Sequence, residues 1–167
     1  MNTSQSLTPI VLDNADLRIL DQLQGDASLS NQALAALIHV SPPTCLRRIK
    51  RLQDAGLIER HIAVLSVEKM AATLGHGITA ITEVTMDKQG AEHIDAFEAR
   101  AVQDEEVQQC YRVSPGPDFV LVVHVRDMPA YLALAQRLFT GDANVRNVKA
   151  FFSVKRSKFE PRLPLGL

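Results

Sequence analysis

The amino-acid sequence predicts an α+β chain: an N-terminal winged helix-turn-helix followed by a ferredoxin-like βαββαβ domain. Three observations predict it. The first third reads as three short helices with apolar stripes, and only a tight turn separates the second from the third. From Ile78 onward, β-branched and helix-periodic segments alternate in the order βαββαβ. Charge is also segregated beneath a net charge of −1. Ser41–Arg60 carries five cations against two anions, Gly90–Asp118 two against seven, and Arg146–Arg162 six against one. The expected division is residues 1–62 for the helix-turn-helix, 63–77 for a connector strand and linker, 78–156 for the sheet domain and 157–167 for a basic tail.

The first helix starts at Leu12-Asp13-Asn14-Ala15-Asp16-Leu17. Asp13 is placed to cap it, and Asp16 meets the free N–H groups and the positive end of the helix dipole. Leu12 and Leu17 are spaced as a hydrophobic staple. Leu17, Leu20 and Leu23 continue an apolar stripe that Gly25 ends. Ser30 caps the second helix, whose apolar face is Leu34, Leu37 and Ile38. His39 then falls at a left-handed position. Ser41-Pro42 opens the third helix, with serine as a strong N-cap and proline at the first turn. That helix runs to about Ala55, with Leu46, Ile49 and Leu52 facing inward. Leu57–Leu65 reads as a short hairpin or wing leading into a strand.

The third helix has the chemistry of a groove-reading element. Ser41, Pro43 and Thr44 are small residues near its start, able to approach base edges, and Arg47, Arg48 and Arg51 suit phosphates and guanines. A basic run alone is an ordinary solvated face. The tight turn, the Ser-Pro start and the three-helix setting make double-stranded DNA the expected partner.

In the remainder, Ser66–Gly77 reads as a connector. Ile78–Thr85 is strand-like, Ala91–Val102 helical, Val107–Val113 a strand and Ser114-Pro115-Gly116-Pro117-Asp118 a turn. Phe119–Val125 is an almost wholly apolar strand, Asp127 caps a helix to about Phe139, and Val145–Val154 is the last strand. Apolar residues on both strand faces, with Ile81, Val107, Leu121 and Val123 as candidates, predict a dimer that stacks sheet on sheet.

Other functions have little support. With 46% apolar and 22% charged residues the chain has material for a core, and it has no apolar run near the ~20 residues of a membrane helix. Met1–Ile10 lacks the basic and apolar segments of a secretory signal. Cys45 and Cys110 form no CxxC and have no adjacent base, so they read as inert thiols in a reduced, cytoplasmic compartment. The five histidines (His39, His61, His76, His93, His124) show no metal-ligand spacing, and His124 reads as a satisfied core or interface residue. Gly75-His76-Gly77 is too short for a phosphate loop. Glu105-Glu106 reads as a solvated helix end. Lys155–Arg162 is either a solvated terminus or a segment that brushes DNA. No catalytic residue, metal or cofactor is expected.

Three sets of residues carry a family resemblance: Leu12-Asp13-x-x-Asp16-x-x-Ile19-Leu20, Ser41-Pro42-x-x-Cys45-Leu46-Arg47-Arg48 and Leu52-x-x-x-Gly56-Leu57-Ile58. In this order and spacing they resemble the leucine-responsive regulatory protein / AsnC family of bacterial transcription factors. Val113-Ser114-x-x-x-Asp118-Phe119 and Val125-x-Asp127-Met128-x-x-Tyr131 extend the likeness to about Arg156. The resemblance implies a nucleoid-associated, DNA-binding transcriptional regulator whose sheet domain senses an amino acid and drives assembly into homodimers, then tetramers or octamers. It places the effector near Ser114, Gly116 and Asp118. The chain departs from the family at His39, where glycine is common, at Pro42-Pro43-Thr44, where Pro-Thr-Pro is usual, and at Pro115, where glycine is usual. Proline at 115 removes an N–H and forbids positive φ. It therefore sustains a competing reading, an architectural DNA-binding protein without an effector. A small enzyme on the same scaffold is a third.

Overall fold

The structure is a computed structural model that describes residues 10–75 and 77–167. Of the residues singled out above, His76 and the first nine of the N-terminal segment lie outside the described residues. The chain forms two compact units, Met1–Val64 with Lys158–Leu167, and Leu65–Ser157.

The helical unit contains α1 (Asn14–Gly25), α2 (Asn31–Ile38) and α3 (Pro42–Asp54). A reciprocal capping box opens α1: the Asp13 carboxylate accepts from the Asp16 N–H at 2.9 Å, and the Asp16 carboxylate accepts from the Asp13 N–H at 3.1 Å. Ser30 caps α2 by accepting from the Ala33 N–H at 3.1 Å. His39 turns the chain at φ 59°, the left-handed position expected. Ser41 holds the N-cap position of α3, but its hydroxyl bonds the Thr44 hydroxyl at 2.8 Å and caps no N–H. The core is Ile19, Leu34, Ala35, Ile38, Cys45 and Leu52, with Ile49 packed against it. Leu46, expected inside, is 59% exposed. The buried stripe of α3 is 45, 49 and 52, and one residue past Cys45 the helix has turned by about 100°.

No strand forms over 57–66, and Ile62, Val64 and Leu65 are exposed. The wing or connector strand expected there lacks a ladder partner in the single chain. The connector is instead helical over α4 (Val67–Leu74), capped by Ser66 Oγ, which accepts from the Lys69 N–H at 3.3 Å. The tail also differs from a free, solvated terminus. Arg162 bonds the Asp21 carboxylate on α1 at 2.8 Å, and the Leu163 N–H donates to Gln24 Oε1 at 2.6 Å.

The sheet unit follows βαββαβ order: β1 (Ile78–Met86), α5 (Ala91–Ala101), β2 (Val107–Arg112), β3 (Phe119–Val125), α6 (Met128–Ala135) and β4 (Val145–Phe152). All pairings are antiparallel, in the spatial order β2-β3-β1-β4. A π turn, Gln136–Thr140, prolongs α6, closed by a Gly141 N–H bond to the Gln136 carbonyl at 3.0 Å. A Cβ at Gly141 would stand 2.8 Å from that carbonyl oxygen, so only glycine fits. Strict alternation on β3 buries Phe119, Leu121, Val123 and Val125. They pack with Ala80, Val84 and Met86 of β1, with Ile94 and Phe97 of α5, and with Tyr131 and Leu134 of α6. The Phe97 and Phe119 rings lie 4.8 Å apart. Of the four candidates for the two faces, Leu121 and Val123 belong to this core and Val107 packs against it, whereas Ile81 is on the other face. On that face Ile81 pairs with Val122 and Phe151, while Glu83 pairs with Val120 and Lys149. Glu106 is more than a solvated helix end, because its carboxylate pairs with Arg137 at 2.8 Å.

Candidate functional site

The first candidate site is the outer surface of α3. Its N-terminus is aimed by the turn at His39 and pinned by Asn31, whose amide donates to the Pro42 carbonyl at 2.9 Å. Spacing of four, three and four places Pro43, Arg47, Lys50 and Asp54 on the stripe opposite Cys45 and Leu52, and all four are exposed. Among the described residues, Arg47 and Lys50 form no ion pair. Ser41 is exposed, and Thr44 is half-buried with its hydroxyl on Ser41.

Arg48 and Arg51 are placed differently. Arg48 Nη1 lies 2.8 Å from Asp16 Oδ1 and 2.8 and 2.9 Å from the two Asp13 oxygens. Arg51 Nη2 donates to the other Asp16 oxygen. The Asp16 side chain is fully buried. The Asp16 N–H and then Arg48 hold the Asp13 carboxyl below the usual carboxylate range, and Asp16 and then Asp13 push the Arg48 guanidinium further up. The structure therefore separates the sequence-derived set. Pro43 and Arg47 face solvent, whereas Arg48 and Arg51 bind back into the domain. Sequence reasoning passed over Lys50, although its spacing from Pro43 and Arg47 could have found it.

The second candidate site is a depression of about 530 Å³ between the start of α5 and the β2–β3 turn, lined by Gln89, Ala91, Ile94, Arg112, Val113, Ser114 and Asp118. Ser114 is exposed, and Gly116 takes φ 127°, a conformation open to glycine. Asp118 Oδ2 accepts from the Met86 N–H at 2.6 Å, and Oδ1 accepts from the Gln89 amide at 3.0 Å. Arg112 reaches Asp95 at 2.8 Å and also pairs with Glu98. A carboxylate and a guanidinium thus border a partly apolar floor, a combination that suits a small zwitterion. Gln89 and Arg112 were invisible as site residues because only the fold brings them to the turn.

The two cysteines and His124 are not among the residues of either surface. Cys45 is buried and Cys110 half-buried, and burial pushes both thiols up, with Glu98 adding to the rise at Cys110. His124 Nδ1 lies 2.9 Å from the Thr79 hydroxyl. Among the described residues, no three His, Cys, Asp or Glu side chains group as metal ligands, and no helix is long and apolar enough to cross a membrane.

Comparison with known proteins matches residues 12–59 to a winged helix-turn-helix DNA-binding domain and residues 79–163 to the Lrp/AsnC ligand binding domain. An uncharacterized HTH-type transcriptional regulator of Haemophilus influenzae is 35% identical over 88% of this chain and 85% of its own length. A leucine-responsive regulatory protein of Salmonella typhimurium is 30% identical over 91% of this chain and 90% of its own. Among solved structures, a transcriptional regulator of Neisseria meningitidis in complex with L-methionine superposes with a TM-score of 0.81 at 28% identity, covering 93% of this chain and 98% of that one.

Proposed function

This chain belongs to the Lrp/AsnC family of transcriptional regulators, and from that premise we propose that it is a sequence-specific DNA-binding regulator answering to a free amino acid. The observation that carries the reading is the outward stripe of α3, where, among the described residues, the Arg47 guanidinium and the Lys50 ammonium form no ion pair, beside Pro43 and near Thr44. In the major groove, Arg47 and Lys50 serve phosphates or guanine, and the Thr44 methyl suits a thymine methyl. A second copy covers the open sheet face at Ile81, Val122 and Phe151, which presents two such helices to a roughly palindromic site. Further assembly to tetramers or octamers follows the family pattern, as does residence in the cytoplasm on the nucleoid.

The effector occupies the depression at 112–118. Its ammonium meets Asp118, and its carboxylate meets Arg112 or the Ser114 hydroxyl, with Gly116 letting the backbone approach. That the Neisseria meningitidis relative was solved with L-methionine supports an amino acid here. One observation favours the competing reading of an effector-independent architectural protein. Both Asp118 oxygens already accept bonds within the chain, and Pro115 offers no N–H.

The test is selection of duplexes from a random pool, followed by a thermal-shift series with single amino acids. Wild-type protein should enrich a consensus that Arg47→Ala loses, and one amino acid should raise the melting point of wild type and leave Arg112→Met unmoved. A consensus without any amino-acid shift supports the architectural protein. No enrichment at all overturns the DNA reading.

A further inference from the structure

The network at the root of α3 exceeds what capping α1 requires. Asp13 and Asp16 complete a capping box by themselves. Two guanidinium groups from α3, 32 and 35 residues away, are added to it. Each oxygen of the fully buried Asp16 carboxylate receives a donor from a different turn of α3: Arg48 Nη1 at 2.8 Å on one and Arg51 on the other. Among the described residues Arg48 Nε is buried without a partner, so the side chain is held inward at some cost. Cys45 and Leu52 are the only residues of α3 that are fully buried. The partly buried Ile49 and the Asn31 bond at the first turn support this stripe, and the ion pairs add resistance to rotating or sliding. One carboxylate gripping two successive turns opposes both motions, because either would strand a buried charge.

We infer that Asp16 is a positioning residue for DNA recognition: it sets the rotation of α3 that turns Pro43, Arg47 and Lys50 outward, and it withholds the charge of Arg48 and Arg51 from the phosphate backbone. The inference rests on the DNA-reading role given to α3 above. Withholding charge serves discrimination, since phosphate contacts strengthen binding to every sequence alike. Four free cations on α3 would raise affinity for all DNA, whereas two free and two tethered leave proportionately more of the binding to the bases.

The experiment measures full-length Asp16→Asn on two probes, a duplex enriched from a random pool by wild-type protein and a mixed-sequence duplex of equal length. The ratio of the two affinities should fall by roughly tenfold, while mixed-sequence binding strengthens and its salt slope steepens by about one. Far-UV circular dichroism establishes that the variant is folded. Should it not fold, Asp13→Asn decides: asparagine caps equally well, the position is half-exposed, and the change frees Arg48 from one of its two carboxylates. It should shift ratio and slope in the same directions by a smaller factor. A folded Asp16→Asn, or failing that an Asp13→Asn, with wild-type ratio and slope overturns the inference and leaves the DNA reading standing. If wild-type protein enriches no duplex, the reading and the inference fall together.

Discussion

In the sheet unit the interior is hydrocarbon almost throughout, with Phe97, Phe119, Leu121, Val123 and Leu134 wholly buried around a four-stranded sheet. In the helical unit a carboxylate, Asp16, lies as deeply buried as Ile19 and Leu52. Among the described residues the helical core has six buried apolar side chains and the sheet core fourteen, so a single polar contact weighs more in the smaller one. Hydrocarbon packing is non-directional and rewards area. Ion pairs with hydrogen bonds are directional, and breaking them strands a charge. The helical unit places directional bonds in its interior, at Asp16, whereas the sheet unit keeps ion pairs such as Arg112–Asp95 and Arg137–Glu106 outside a hydrocarbon interior.

The comparison breaks most visibly if large deletions in the sheet core prove cheap. Phe119→Ala should cost about 3–5 kcal/mol in chemical denaturation. The two tyrosines, Tyr111 and Tyr131, both lie in the sheet unit, so tyrosine fluorescence follows that unit alone. The loss should appear in that signal, with the helical unit's melting unmoved. A smaller effect comes from the polar exception in the hydrocarbon core. Thr82 is fully buried on β1 and its hydroxyl has no partner among the described residues. Thr82→Val should therefore raise stability by about 1 kcal/mol, and a lower midpoint would show that the site is not purely apolar.

The smallest effect is set by pH. The folded Asp13 carboxyl is held low, by the Asp16 N–H first and Arg48 second. A depressed folded value means that the contribution is complete above the ordinary aspartate value of about 4 and fades as pH falls below it toward the folded value. Acid titration should thus loosen the helical unit, read by far-UV dichroism, before the tyrosine signal changes. The opposite order would mean that the sheet unit leans on its carboxylates more than the helical unit does.

Sequence legibility follows the same line. The caps at Asp13 and Ser30, the turn at His39 and the almost wholly apolar strand β3 are local, and each stands in the structure as the residues imply, β3 lying inside the sheet. Helix α4 lies inside the stretch that reads as a connector, although Ser66 opens it and Val67, Met70, Ala71 and Leu74 stand at helical spacing. The inward turn of Arg48 and Arg51 was not legible. A basic helix face looks the same whether its cations meet water or a carboxylate more than thirty residues away. In the same way Gln89 and Arg112 become neighbours of Asp118 only after strand pairing.

The clasp of Arg162 and Leu163 onto Asp21 and Gln24 has a consequence for recombination. The helical unit is assembled from two stretches, Met1–Val64 and Lys158–Leu167, interrupted by the whole sheet unit. A crossover near residue 64 that grafts the first stretch onto a foreign sheet domain therefore imports half of a matched pair. The incoming α1 meets a tail selected against a different helix, and Asp21 and Gln24 lose their partners. Hybrids exchanged at both junctions keep the match, so a domain swap in this architecture is a two-cut operation.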